Sequence, residues 1–401
     1  MKHASLSALS VLLSVGAVAC GGTDPAAPAG AAGAPGMMGA GGAPAGQSAD
    51  PCGLHTAFAG DQNCIPKPAY DEGVQVHIGP SSYDDPAIIN AKDAKGNYLW
   101  LMMPGDERTE CYHTITENDV GRYYFKQQYR MRSGSHHMIV SKSNSTATTE
   151  GWGLCSRGII GSIGGTRNVV EDLPPGGIVA PEDEGLGRGL DAHTPLDVQL
   201  HFYNTTDQPR LREMWVNYIY KPKAEVITNL GMLGGFAPLN VPAHSSVTTG
   251  NVCRASDAIP SGSPVRIVTL FGHAHTHNQR FVVYHEKPGP SGAFTDGTSD
   301  VVYDSYDHAE APQYTFNTVV KNPVPDAVNH VSGAFSGILT LQPGEQIRYA
   351  CDIVNDTFID FHGQNEVYTD EMCNLFGSVA TLGMACPPLT VPTGTPAPAK
   401  P

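Results

Sequence analysis

Five segments of the chain alternate apolar and polar positions with period two: Tyr123 to Met131, Leu196 to Tyr203, Pro264 to Phe271, Phe281 to His285 and Gln346 to Cys351. That period is the signature of a strand with one face in a core. Gly/Pro/Asn/Asp clusters such as Leu173 to Gly177 and Leu341 to Glu345 punctuate the pattern as turns. No amphipathic stretch long enough for about three helical turns interrupts it. The pattern predicts an all-β body built of antiparallel β-sandwiches. A strand-like run ends in Lys-Pro-Lys within Tyr220 to Val226, which predicts a boundary there and two tandem sandwiches, 51–222 and 223–386.

The two ends depart from this pattern. Lys2 and His3 precede an apolar run from Leu6 to Val18, and Ala17-Val18-Ala19 leads into Cys20. The run is too short to span a bilayer, so residues 1–20 read as an export signal of lipoprotein type, with Cys20 the expected lipid attachment site. Ala17 stands where such signals more often carry Leu, which leaves plain secretion as the alternative. Residues 21–50 and 387–401 are mostly Ala, Gly, Pro and small polar residues and predict disordered segments, the first a tether. With 45 Gly and 32 Pro in 401 residues, the composition favours short strands and turns. A formal charge of −15 argues against a nucleic-acid surface, which needs clustered Lys and Arg. Besides Cys20 there are eight cysteines, Cys52, Cys64, Cys111, Cys155, Cys253, Cys351, Cys373 and Cys386, an even set that predicts a disulfide framework in an exported protein.

Four clusters could carry chemistry. In Ser135-His136-His137-Met138 the imidazoles are adjacent, so both reach one metal only if the strand bends. In Val198-Gln199-Leu200-His201-Phe202-Tyr203, alternation puts Gln199, His201 and Tyr203 on one face and Val198, Leu200 and Phe202 on the core face. Gly272-His273-Ala274-His275-Thr276-His277 would place three imidazoles on one strand face, within reach of a common ion. Strand geometry does not say which two of the three bind. Asp370-Glu371-Met372-Cys373-Asn374-Leu375-Phe376 adds a methionine, ordinarily a core gap-filler but also a soft ligand that selects Cu(I). Taken singly, a buried or solvated structural histidine is the plainer account of the first two clusters.

In their joint order, with Met103-Pro104-Gly105 ahead of Cys111, these motifs resemble the copper type II, ascorbate-dependent monooxygenases, the family of peptidylglycine α-hydroxylating and dopamine β-monooxygenases. The resemblance runs from about Val74 to Cys386, and Asp-Glu-Met-Cys-Asn-Leu is its most specific piece. It implies two jelly-roll-like domains, each with one copper, facing across a water-filled cleft. His136, His137 and His201 would hold an electron-transfer copper. His273, His275 and Met372 would hold the catalytic one, with His277 the alternative ligand. Ascorbate would supply electrons, and dioxygen would supply the hydroxyl placed on an activated C–H bond. The resemblance also pairs Cys111 with Cys155, Cys253 with Cys386 and Cys351 with Cys373, leaving Cys52 and Cys64 to close a local ring.

The chain departs from the family where substrate is bound. Peptide-amidating members carry Arg two residues before the His-x-His motif and Tyr four residues after the Met; here Phe271 and Phe376 stand there, while Asn374 is retained. A C-terminal glycine peptide is therefore not expected, and a less polar or aromatic small molecule is. Two other classes compete with the enzyme: a copper-binding or copper-delivery lipoprotein on the same fold, and a surface protein whose histidines are incidental.

Overall fold

The computed structural model describes residues 50–132, 135–143, 150–154, 159–164, 183–258, 262–294, 299–306, 308, 313–318, 331–332, 335, 337–363, 370–381 and 384–386. Of residues 136, 159–164, 331–332 and 385 it describes the backbone alone. The expected signal, tether and tail, with Cys20 and Cys155, lie outside the described residues.

Antiparallel sheets dominate, and helix is confined to single short turns. In the first half the main strands are β1 (Gly73–Ile78), β2 (Glu107–Ile115), β3 (Arg122–Met131), β4 (Ser135–Ser143), β5 (Pro195–Tyr203) and β6 (Met214–Lys221). One sheet runs β1-β6-β3 and continues through Leu186–Leu190 to Thr228–Asn229. The other runs from Gly151–Gly153 through β2-β5-β4 to Ile159–Gly164. Inward positions of both sheets, among them Val76, Tyr129, Met138, Val198, Phe202 and Val216, close one core between them. The alternation predicted for Leu196 to Tyr203 is seen: Val198, Leu200 and Phe202 have no exposed surface. Burying each such side chain stabilises the fold by about 1.5–3 kcal/mol.

The second half repeats the scheme with β7 (Gly231–Phe236), β8 (Ser245–Arg254), β9 (Val265–Ala274), β10 (Asn278–Glu286), β11 (Gln346–Asn355) and β12 (Cys373–Val379). One sheet orders β9-β12-β7 and the other β8-β11-β10, with short strands at their edges. Leu270, Phe281, Tyr303, Tyr349 and Leu375 belong to the core they enclose. The chain passes between the halves at Lys221, through a short turn at Lys223–Glu225. Thr228–Asn229, beyond that turn, still pairs with the first half, parallel to Leu186–Leu190.

Three of the expected disulfides are present: Cys52–Cys64, Cys253–Cys386 and Cys351–Cys373. Such bonds persist in oxidising surroundings and fit an exported protein. Cys111 is buried at the centre of β2, and its expected partner Cys155 lies outside the described residues. No helix among the described residues is long and apolar enough to cross a membrane.

Ser48–Pro401 is one compact unit, so the halves touch. Arg266 of β9 meets Asp183 at 2.5 Å, and Asn317 donates to the same carboxylate at 3.2 Å. Arg188 donates to Ser378 of β12 at 2.6 Å. The Arg266–Asp183 ion pair, largely removed from water, helps hold the halves in register because each charge keeps a partner.

Candidate functional site

The histidines of the two halves meet where the β2-β5-β4 sheet faces the β9-β12-β7 sheet. His137 of β4 and His201 of β5 are cross-strand partners, with rings 5.0 Å apart and nearly perpendicular. The register shifts between Ser135 and His137, a bulge at His136 that supplies the bend two adjacent imidazoles would need to serve one centre. His201 has no exposed surface, although its strand face points away from its own core. The second half covers that face. His137 and His273 lie edge-on at 4.6 Å, and His273 and His275 at 5.5 Å. Four rings thus form one continuous row across the two halves, in place of the separation by a water-filled cleft that the family resemblance implies.

The His-x-His segment does not stay a strand to its end. β9 stops at Ala274, and His275 to His277 turn away toward β10. The expectation of three imidazoles on one strand face is corrected accordingly. The cause is Glu371, which has no exposed surface and spends its carboxylate on backbone N–H groups. It accepts from the amides of His275 and Met372 through Oε1 and of His277 through Oε2. Those amides are bound to a carboxylate, so the turn takes the place of a longer strand. The His277 ring packs on Phe361 at 4.6 Å, apart from the row.

Met372 enters through the strand that follows it. β9 and β12 pair with His273 opposite Asn374 and Phe271 opposite Phe376. Asn374 Nδ2 donates to Met372 Sδ at 3.4 Å, which brings the thioether to the His273 row of the sheet. The Cys351–Cys373 bond ties the residue beside Met372 to the opposite sheet. Gly272 lets this strand lie close to its core: a Cβ there would stand 2.6 Å from the Phe281 ring. Beyond the histidines the same sheet face turns aromatic. Phe271 and Phe376 lie 5.4 Å apart, Phe236 adds an edge at 5.8 Å, and a Cβ at Gly234 would meet nothing within 4 Å.

Electrostatics favour neutral imidazoles. Burial, with His275 and His201 nearby, lowers His273 to about 3. Burial lowers His275 to about 4 against the pull of the Asp370 carbonyl. Both therefore carry lone pairs at neutral pH, as metal ligation requires. His275 Nδ1 donates to the Asp370 carbonyl at 3.3 Å, leaving the ring's lone pair on Nε2. His201 is wired through the other nitrogen: its Nε2 meets Glu107 Oε1 at 2.8 Å, which leaves the lone pair on Nδ1. Burial lifts Glu371 to about 7, although the four amides that it faces favour its ionised form.

His273 and His275, with rings 5.5 Å apart, and the thioether bonded to Asn374 opposite His273 supply imidazole and sulfur donors of the kinds that accept copper in both of its common oxidation states. Among the described residues no three His, Cys, Asp or Glu side chains converge on a metal position; the sulfur of Met372 and the side chain of His136 stand outside that count. Glu107 and Glu371 were not marked by the sequence motifs. Glu371 lies within Asp-Glu-Met-Cys, where its charge beside a buried strand was the available signal. Glu107 becomes visible only through the pairing of β2 with β5, which sets Thr109 opposite His201.

No family model matches the chain, and no curated protein matches it in sequence.

Proposed function

We propose that the protein is a copper-dependent monooxygenase that hydroxylates an activated C–H bond of a weakly polar small molecule, using dioxygen and ascorbate or another one-electron donor. The observation that carries this reading is the row of the His201, His137, His273 and His275 rings, with Asn374, the cross-strand partner of His273, bonded to the sulfur of Met372. In this reading His136, His137 and His201 hold one copper and His273, His275 and Met372 the other, in two jelly-roll-like sandwiches. Copper bound there would cycle between its two oxidation states and reduce dioxygen. The chain's own residues prepare for that. Burial keeps the imidazoles unprotonated, the Asp370 carbonyl orients His275, and Asn374 holds the thioether by its one hydrogen bond to it. Phe271, Phe376 and Phe236 border the row with an apolar surface suited to an aryl or alkyl group and unsuited to a carboxylate. Lipidation at Cys20 belongs to the same reading and would hold the body off a membrane on the 21–50 tether.

The test is oxygen uptake by the copper-loaded protein with ascorbate and a panel of phenethylamines, small aromatics and acylglycines. Under labelled dioxygen, one labelled oxygen is expected in a hydroxylated aromatic product, with acylglycines the poorer substrates. Copper uptake without coupled oxygen consumption would replace the enzyme by the copper-delivery reading.

A further inference from the structure

We infer that Gly234 keeps open a hollow for a single aryl ring of the substrate, and so sets which molecules the site accepts. That the occupant is a substrate rests on the copper reading above; the hollow itself rests on the sheet. Gly234 lies in the middle of β7, where a glycine weakens a strand and packs nothing. Its neighbour Gly235 has a plain reason to be glycine, since a Cβ there would stand 2.6 Å from Cys386 Sγ. A Cβ at Gly234 would meet nothing within 4 Å. Open space beside a glycine elsewhere, as at Gly105 and Gly344, goes with a positive φ that by itself calls for glycine. Gly234 has no positive φ. Neither backbone conformation nor packing accounts for it, and what is left is the space beside it.

The walls of that space are apolar. Alternation puts Met232 and Phe236 on the same face as Gly234, while Leu233 and Gly235 turn to the core. Across the sheet Gly234 stands opposite Phe376, which stands opposite Phe271. The Phe236 and Phe376 rings meet edge to face at 5.8 Å, and the Phe376 and Phe271 rings are tilted by 30° at 5.4 Å. The backbone offers a polar ligand little. Gly234 pairs with Phe376 on one side and Ala385 on the other, and its carbonyl accepts from Cys386 N at 3.0 Å. A hollow with paired peptide groups and aromatic walls favours a flat ring, whose edge or face suits the rings around it, over a saturated one. Neighbouring strands lie about 4.8 Å apart, so Gly234 is about 10 Å across the sheet from Phe271 on the His273 strand. A ring seated there carries the reacting carbon on an arm, and not on the ring itself.

The seat is tested first without metal, on the full chain, with phenylpropanol as probe and cyclohexylpropanol as its saturated match. Ligand-observed NMR titration should find the phenyl probe bound several-fold more tightly. Gly234→Ala should weaken it a few-fold and Gly234→Leu at least tenfold. Neither substitution should lower the urea midpoint, because the new side chain enters open space. Equal binding of the phenyl probe by wild type and Gly234→Leu overturns the proposal, and so does a cyclohexyl probe bound as tightly as the phenyl one. A lowered urea midpoint in Gly234→Ala overturns it too, by giving the glycine a structural reason. A wild-type chain that takes up no phenyl probe also overturns it, and leaves the place to residues 387–401, which follow Cys386, or to a second copy. With copper and ascorbate, Gly234→Leu should hydroxylate an arylalkyl substrate with kcat/KM lowered at least tenfold at unchanged copper content. A protein that binds the probe but takes up no copper overturns the monooxygenase reading and leaves the hollow standing.

Discussion

Two carboxylates stand beside the histidine row, one from each half, and they are used in opposite ways. Glu107 bonds to a ring nitrogen of His201 across neighbouring strands and so orients the ring. Glu371 accepts from the amides of His275, His277 and Met372 and holds their backbone in place. The difference follows from position. β4 and β5 already fix His137 and His201 as cross-strand partners just past the bulge, so a carboxylate there is available for the ring. In the second half the segments proposed to ligate lie where strand pairing stops: His275 is past the end of β9 and Met372 precedes the start of β12. A turn without ladder partners leaves amides that would otherwise be buried and unbonded, and one carboxylate accepts several.

The comparison is broken most directly by deleting each acceptor. Glu371→Leu strands at least three amides, that of His275 buried and those of His277 and Met372 partly buried, and at about 1–3 kcal/mol each the loss is on the order of 5 kcal/mol, a large part of ordinary domain stability. Glu107→Leu leaves one ring N–H without its carboxylate and should cost about 1–3 kcal/mol. Urea unfolding of the two variants measures both, and equal losses would sink the distinction between a backbone clasp and a ring partner. An effect between those two is expected from opening the bond next to Met372. The double variant Cys351→Ala/Cys373→Ala, which leaves no free thiol, should lower stability by about 2–4 kcal/mol. If the proposed copper sites are right, it should also weaken copper on the Met372 side more than on the His201 side; equal loss on both sides in a chelator titration would show that the disulfide serves the fold generally.

The same contrast explains how much could be read in advance. The five alternating segments became β3, β5, β9, β10 and β11, because period-two burial is a local property of a strand with one face in a core. Two disulfides also fell where the family resemblance paired them, Cys253–Cys386 and Cys351–Cys373, and the remaining Cys52 and Cys64 closed their local ring. His201 shows the limit. Alternation put it on the face away from its own core, yet it has no exposed surface, because the cover comes from a second sheet that no single strand's pattern can announce. The His273 to His277 cluster shows another limit: period two was carried one turn too far, since the carboxylate that ends the strand lies 96 residues away from His275 in sequence. Glu107 and Glu371 are therefore features of pairing and packing, legible only once sheets are set against each other.

The finest test of the clasp is the pH dependence of the metal-free protein. His273 and His275 are lowered to about 3 and 4, so between about pH 4.5 and 6.5 they are neutral when folded and protonated when unfolded. Folding releases two protons on their account, and stability rises with pH. Glu371, raised to about 7, is protonated when folded and ionised when unfolded over the same range, so folding takes up one proton and stability falls with pH on its account. The net is one proton released, a rise of about 1.4 kcal/mol per pH unit, which ends near pH 6.5 where the unfolded histidines lose their charge. From there to about pH 7 only Glu371 is left, and stability dips. Glu371→Gln removes the opposing contribution: its stability should climb about twice as steeply from pH 4.5 to 6.5 and should not dip above it. Urea midpoints at half-unit pH steps, taken as the difference between variant and wild type, isolate that one group. Parallel curves would mean that Glu371 holds its amides as a carboxylate throughout, a tighter clasp than burial alone predicts.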